Sequence, residues 1–178
     1  MSNNEVNNKV LSREKKTERF KRIIEENKGI LYKVINIYCK DPSNKEDLEQ
    51  EILLQLWRSL DNYNAEYKIS TWIYRIAMNV SISFYRKNNK APSHLSIDSI
   101  FIKNSYDEDI DEIDYKKNRL QFFIDQLNDL DKAIILLYLE EYNYKEIGKI
   151  IGITESNVGS KINRIKNKLK KVYRNGTK

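Results

Sequence analysis

Cysteine, histidine and proline are scarce in this chain of 178 residues, and the scarcity excludes several classes of protein. The one cysteine, Cys39, cannot form an internal disulfide, which favours a reducing compartment. The one histidine, His94, has no Cys or His cluster beside it, so we expect no zinc site. We therefore predict a protein without a metal or any other cofactor.

Long apolar runs and a signal sequence are also missing. No stretch approaches the roughly 20 apolar residues that a membrane-spanning helix needs, and the first twenty residues are polar and charged. The sequence therefore predicts a cytoplasmic protein that does not insert into a membrane. It also lacks paired carboxylates in an apolar setting and a glycine-rich phosphate loop, which argues against an enzyme.

Only 2 prolines and 5 glycines interrupt the chain, so long helices can form. We predict an all-α protein of two small helical domains joined by a flexible linker, which is acidic between Asp107 and Asp114. The predicted order is a flexible N-terminal arm over 1–16, a first domain over 17–90, the linker over 91–115 and a second domain over 116–178. A net charge of +6 and 12 tyrosines fit a nucleic-acid partner.

The stretch 71–86 has the apolar period of an amphipathic helix, with Ser70 as its predicted N-cap. Its predicted inner face carries Trp72, Ile73, Ile76, Ala77, Val80 and Phe84. The other face carries a stripe of donors (Arg75, Asn79 and Arg86), beside which lie Tyr74, Met78 and Tyr85. Charged donors hold phosphates and exposed rings stack unpaired bases, whereas a solvated face is the plainer alternative.

A capping box of Ser43 and Glu46 predicts a helix over 46–60. One outer stripe of this helix carries Asp47, Glu51, Leu54 and Arg58, with Gln50 at its edge. An apolar Leu54 among charges indicates a contact with a partner, although singly exposed leucines are common.

The C-terminal third has the pattern of a helix-turn-helix unit. Asn143 caps a short helix with Glu146 at its third position, Gly152 suits the turn and Thr154 caps the next helix. That second helix turns four apolar residues inward and a polar face outward, and the outer face carries or is flanked by Ser156, Asn157, Ser160, Lys161, Asn163 and Arg164. Four further lysines are expected to hold phosphates: Lys166, Lys168, Lys170 and Lys171.

Three segments, in this order, resemble the extracytoplasmic-function (ECF) group of bacterial sigma factors. They are Glu46–Glu51 followed by Leu56 and Trp57, then Thr71–Asn79, then Tyr144–Gly148 through Ile153–Val158. The resemblance covers roughly residues 17–172. Gly148 and Gly159 depart from it, because alanine and a polar or basic residue are more usual at these two positions.

The resemblance implies a sigma factor that binds core RNA polymerase and promoter DNA, with an anti-sigma protein as a candidate further partner. It assigns polymerase binding to Asp47, Gln50, Glu51, Leu54 and Arg58. It assigns the melted minus-ten strand to Lys68, Ser70, Thr71, Trp72, Tyr74, Arg75, Asn79 and Arg86. It assigns the minus-thirty-five duplex to Ser156, Asn157, Ser160, Lys161, Asn163 and Arg164. The alternative is an ordinary helix-turn-helix regulator with an N-terminal sensing bundle, which leaves the Leu54 stripe and the stretch 71–79 unexplained.

Overall fold

The computed structural model describes the backbone over residues 3–88 and 112–175, and side chains over 13–87 and 119–171. Within these ranges the chain forms helices without any strand, which confirms the all-α prediction. The helices are α1 (Asn3–Tyr38), α2 (Pro42–Ser59), α3 (Ile69–Asn88), α4 (Glu112–Asp125), α5 (Asp129–Leu139), α6 (Tyr144–Ile151) and α7 (Glu155–Asn175), with a 3-10 turn (Leu60–Asn62) after α2.

The chain divides into two compact units, Met1–Phe84 and Tyr85–Lys178. His94 and most of the predicted linker lie outside the described residues. Helix α4 begins at Glu112, inside the predicted linker of 91–115. The exact domain limits stay a prediction.

Helix α1 differs from the sequence prediction at its start. We expected an arm over 1–16, but the backbone is helical from Asn3, and the helix continues through Gly29 without a break. Lys16 joins this part of α1 to α2 and the turn after it. Its Nζ lies 2.5 Å from Asp61 Oδ2 and 4.6 Å from the centre of the Trp57 ring. The backbone of this segment is thus helical from Asn3, and the flexibility of the arm stays a prediction.

The start of α2 also corrects the prediction. Asp41, not Ser43, is the N-cap, and its Oδ1 accepts a hydrogen bond from the Ser43 amide at 3.0 Å. Pro42 then occupies the first turn, where its fixed φ suits a helix and its missing N–H costs nothing. The predicted Ser43–Glu46 box is displaced because a proline at this position starts the helix earlier.

The core of the first unit is built from α1, α2 and α3. Leu31, Val34 and Ile35 of α1 are buried, and α1 packs on α2. The buried row of α2 consists of Leu48, Ile52 and Leu56, and that of α3 includes Ile73, Tyr74, Ala77 and Met78. These apolar rows fix which faces of α2 and α3 remain exposed.

The second unit confirms the local signals of the helix-turn-helix. Asn143 Oδ1 accepts from the Glu146 amide at 2.9 Å and Glu146 Oε2 accepts from the Asn143 amide at 3.1 Å, which completes the capping box. Gly152 adopts a left-handed φ of 83°, and Thr154 Oγ1 accepts from the Asn157 amide at 3.3 Å. Helices α5, α6 and α7 pack on one another around Ile134, Leu137, Ile147, Ile150, Val158, Ile162 and Ile165.

Gly148 and Gly159 are expected to respond oppositely to alanine. A Cβ on Gly148 would lie 2.6 Å from the Ile153 carbonyl oxygen, which is backbone and cannot rotate away, so Gly148→Ala should lower the free energy of unfolding by about 1–3 kcal/mol. A Cβ on Gly159 meets only the Tyr144 ring at 3.5 Å, so Gly159→Ala should raise it by up to about 1 kcal/mol through helix propensity.

Thermal unfolding measures this difference unit by unit. Both tryptophans, Trp57 and Trp72, lie in the first unit, so their fluorescence follows that unit while far-ultraviolet circular dichroism follows both. Only the dichroism transition should move in the two variants. A Gly148→Ala variant as stable as the wild type would contradict the close approach at Ile153.

Candidate polymerase and nucleic-acid interfaces

Helix α2 presents the predicted polymerase-binding stripe to solvent. Its members are all exposed: Asp47, Gln50, Glu51, Leu54 and Arg58. They lie opposite the buried row of Leu48, Ile52 and Leu56, so their loss would not open the core. Leu54 is 41% exposed, one of the few large apolar side chains of the described residues with such exposure.

Helix α3 exposes a stripe of hydrogen-bond donors. Arg75, Asn79 and Arg86 are exposed and share one side of the helix at ~100° per residue. Trp72, which is half-buried, lies beside this stripe and packs against Tyr63 with ring centres 5.2 Å apart. The stripe combines two charged side chains and one amide, a set that suits phosphates and base edges.

Tyr74 is not on this exposed face. We predicted its ring beside the donors, but it is 1% exposed, and Met78 is 3% exposed. Tyr74, Met78 and Ser81 form a second buried row next to Ile73 and Ala77. The buried arc of α3 is thus centred about 90° from the predicted one. Of the predicted inner face, Trp72, Ile76, Val80 and Phe84 are only half-buried.

The loop before α3 supplies an aromatic residue that the sequence analysis missed. Tyr67 is 51% exposed, and its carbonyl accepts a hydrogen bond from the Tyr63 hydroxyl. The neighbouring Lys68 is exposed, and Thr71 is half-buried in the first turn. In the sequence, Tyr67 directly precedes Lys68, which is predicted to bind the melted strand, and this position is the signal that could have identified it.

Ser70 has a different role from the predicted one. Helix α3 begins at Ile69, and the Trp72 amide donates to the Lys68 carbonyl at 3.2 Å, so the helical bonds start before Ser70. Ser70 is a half-buried residue of the first turn and not the N-cap.

Helix α7 places most of its predicted duplex-reading residues on the outside. Ser156, Asn157, Ser160, Asn163 and Arg164 are all exposed. They lie opposite a buried seam of Val158, Ile162 and Ile165, each at most 1% exposed. Gly159 is half-buried next to the Tyr144 ring at the edge of this surface and adds no side chain to it.

Lys161 and Lys166 turn toward α5 instead. Lys161 Nζ lies 3.0 Å from Asp131 Oδ1, and Lys166 Nζ lies 2.6 Å from the Tyr138 hydroxyl oxygen. The hydrogen bond to Tyr138 raises the pKa of the Lys166 ammonium. Both lysines were predicted to contact DNA, but their amines are already engaged within the unit, unlike the exposed Lys168, Lys170 and Lys171.

A groove at the turn between α6 and α7 adds two further basic residues. It has a volume of about 590 Å³ and is lined by exposed Lys145 and Lys149, along with Thr154 and Asn157. The sequence analysis missed these two lysines, although their spacing of four residues places them on one side of α6.

Within the part of the chain that the structure describes, no helix is long and apolar enough to cross a membrane. The same residues contain no group of three or more His, Cys, Asp or Glu side chains arranged to hold a metal ion.

Two family models match the chain. The model for sigma-70 region 2 matches residues 23–91, which include α2 and α3, and the model for sigma-70 region 4 matches residues 117–169, which include the helix-turn-helix. The two matches follow one another in the chain without overlap.

Curated relatives match over most of the chain. The ECF RNA polymerase sigma factor SigM of Bacillus subtilis is 28% identical over 148 residues, which are 82% of this chain and 90% of SigM. SigW, an ECF RNA polymerase sigma factor of the same organism, is 28% identical over 170 residues, covering 88% of this chain and 90% of SigW.

Two solved structures share the fold. CnrH, solved in complex with the cytosolic domain of CnrY, aligns with a TM-score of 0.64 at 15% identity and 89% coverage of both chains. The sigma factor RpoE from Bartonella quintana, solved with the anti-sigma factor NepR, aligns with a TM-score of 0.58 at 20% identity, covering 86% of this chain and 98% of RpoE.

Proposed function

This chain belongs to the ECF group of RNA polymerase sigma factors, and we propose that its two units divide promoter recognition between melted and duplex DNA. The family makes it a promoter-specific initiation factor of RNA polymerase. What we propose is which residues bind polymerase, which hold the melted strand and which read the duplex.

The first part of the proposal is that α2 docks on core polymerase through Asp47, Gln50, Glu51, Leu54 and Arg58. Leu54 supplies an apolar anchor of the kind that carries binding energy when it fills a partner's pocket. The surrounding charges form a polar rim that favours one orientation. The support is that all five are exposed and lie on one side of the helix.

The second part is that α3 and the loop before it hold the melted minus-ten strand. Arg75 and Asn79 would bind its phosphates and base edges, while Trp72 and Tyr67 would stack on bases that have lost their neighbours. Arg86, which belongs to the second unit and has its Nε 3.4 Å from Asp129 Oδ2, stays a predicted contributor from the end of the same helix. Lys68, Ser70 and Thr71, at the junction of the loop and the helix, complete the proposed set, with Ser70 on the side of α3 that faces away from the donor stripe. Tyr74 is left out of this set because its ring is buried.

The third part is that α7 reads the minus-thirty-five duplex in the major groove. Arg164 and the two asparagines, Asn157 and Asn163, carry side chains that pair bidentately with guanine and adenine edges, and Ser156 and Ser160 add short donors. Lys168, Lys170 and Lys171 would hold phosphates, together with Lys145 and Lys149 from α6. These lysines position the duplex without reading its sequence.

One observation supports the proposed division of promoter recognition between melted and duplex DNA. Each unit exposes a helix face rich in donors. The face on α3 has Trp72 at its edge and the exposed Tyr67 on the loop before it, whereas the Tyr144 ring that borders α7 is half-buried next to Gly159. Helix α7 has no aromatic residue between Glu155 and Lys171. Stacking is useful on unpaired bases and has no role in a closed duplex groove, so the two faces suit the two states of DNA.

The test is run-off transcription with purified core polymerase on a library of upstream sequences, combined with a titration of the chain against core polymerase. A sigma factor binds core stoichiometrically and is required for initiation at the selected promoters. A chain that binds duplex DNA but neither binds core nor supports initiation would be an ordinary helix-turn-helix regulator. The Bartonella quintana relative was solved with an anti-sigma factor, and we propose a partner of that class for this chain as well.

A further inference from the structure

We propose that Lys161 and Lys166 are positioning residues that fix the rotation of α7 on α5 and thereby set which bases α7 reads. This inference rests on the proposed reading of the minus-thirty-five duplex by α7. It differs from the sequence prediction, in which both lysines contact DNA.

The two lysines flank the buried seam of α7 from opposite sides. At ~100° per residue the seam of Val158, Ile162 and Ile165 points in one direction, with Lys161 about 70° to one side and Lys166 about 70° to the other. Each side chain crosses to α5, Lys161 to Asp131 at 3.0 Å and Lys166 to Tyr138 at 2.6 Å. A rotation of α7 in either direction would therefore stretch one of the two contacts.

The acceptors on α5 are themselves held in place. Asp131 is 8% exposed, and its Oδ2 accepts from the Asn128 side chain at 2.9 Å while its amide donates to Asn128 Oδ1 at 2.9 Å. Tyr138 lies in the last turn of α5, and Lys166 Nζ is also 4.4 Å from the centre of its ring. One contact is thus at the start of α5 and the other at its end, about 10 Å apart along the helix axis.

The apolar seam sets the packing of α7 on α5, and the two polar contacts add a constraint that depends on direction. Close packing resists large rotations of α7, but apolar burial itself is non-directional. Hydrogen bonds and ion pairs depend on distance and angle. A rotation of about 10° displaces a side-chain tip ~6 Å from the helix axis by about 1 Å, which is enough to break a bidentate contact with a base.

The test uses lysines of the same helix as matched controls. Lys168 lies seven residues after Lys161 and Lys170 lies four after Lys166, so each control shares a row with its counterpart but is exposed. The full chain is bound to core polymerase, and binding is measured on duplex fragments that carry a minus-thirty-five element selected by the wild type or one with a single base replaced. The first readout is the affinity ratio, defined as the affinity for the selected fragment divided by that for the fragment with one base replaced. The second is the salt slope, the change of the logarithm of affinity with the logarithm of salt concentration, and the third is thermal unfolding.

Lys161→Met and Lys166→Met should each lower the affinity ratio about tenfold, a loss within the range of one base contact, while leaving the salt slope unchanged. Lys168→Met and Lys170→Met should leave the ratio unchanged and flatten the slope by about 0.9 each, as expected for a lost phosphate contact. Lys161→Arg should retain the wild-type ratio because arginine can still pair with Asp131.

Asp131→Asn distinguishes a positioning role of Lys161 from a phosphate contact, because the two roles predict binding changes in opposite directions. If Lys161 positions α7, this substitution should lower the ratio as Lys161→Met does, and the double variant should be no worse than either single one. If Lys161 holds a phosphate, removing its competing carboxylate should raise affinity for both fragments.

The positioning role is overturned if Lys161→Met and Lys166→Met flatten the salt slope as the exposed controls do, or if the ratio falls only in variants that also unfold at lower temperature. The proposed function fails separately, and this inference with it, if Arg164→Ala leaves the ratio unchanged and Lys168→Met leaves the salt slope unchanged.

Discussion

Leu54→Asp is expected to abolish the binding of this sigma factor to core RNA polymerase while both of its units stay folded. Leu54 is 41% exposed on α2, so the substitution does not open a cavity. In the complex, however, the new carboxylate would be buried where an apolar side chain fits. Loss of an anchor together with an unpaired buried charge should weaken binding at least about 100-fold.

The matched control is Gln55→Asp, which adds the same charge at the next residue of α2. Gln55 is also exposed but lies ~100° from Leu54 around the helix, beyond the edge of the stripe. Affinity for core polymerase is measured by titration, and circular dichroism checks the fold. Wild-type affinity in Leu54→Asp, or equal losses in the two variants, would show that the stripe is only a solvated surface.

Arg164→Ala and Asn79→Ala are expected to fail at different steps of initiation. Arg164→Ala should weaken binding to a double-stranded minus-thirty-five site by about 1–3 kcal/mol and relax the preference there, because a bidentate pair with a base edge is lost. Asn79→Ala should leave duplex binding unchanged and reduce open-complex formation and transcription, because in the proposed function Asn79 meets DNA only after a strand is free.

Both residues are exposed and lie opposite buried rows, so neither change should disturb its unit. The measurement pairs duplex binding with open-complex formation, followed by the reactivity of unpaired bases, on the same promoter. If Asn79→Ala weakens duplex binding as much as Arg164→Ala does, α3 is an ordinary duplex-binding element and the proposed division between the units is wrong.

The parts of this structure that the sequence predicted are those set by residues close together in the chain. The Asn143–Glu146 capping box, the left-handed Gly152 and the Thr154 cap each depend on contacts within a few residues. The outer stripe of α2 was equally accessible, since one apolar residue among charges is visible in a helical period.

The parts that it missed depend on tertiary contacts. A period in the sequence identified one apolar row of α3, but Tyr74 and Met78 form a second row whose burial is decided by what packs there. Lys161 and Lys166 look like solvated charges in the sequence, because the acceptors that they reach on α5 lie 30 and 28 residues away, respectively. The start of α2 is an exception, because Asp41 and Pro42 are local signals that begin the helix before the predicted Ser43–Glu46 box.

Cys39, the residue after α1, allows local opening of the first unit to be followed by the rate of thiol labelling. The thiol is 8% exposed, its Sγ donates to the Asp41 carbonyl oxygen at 3.4 Å, and burial raises its pKa. We therefore expect a thiol reagent to react mainly when the junction of α1 and α2 opens, and with one cysteine in the chain the reaction should follow a single exponential. Because core polymerase docks on α2 in the proposed function, bound polymerase should slow this labelling in proportion to its concentration above the dissociation constant.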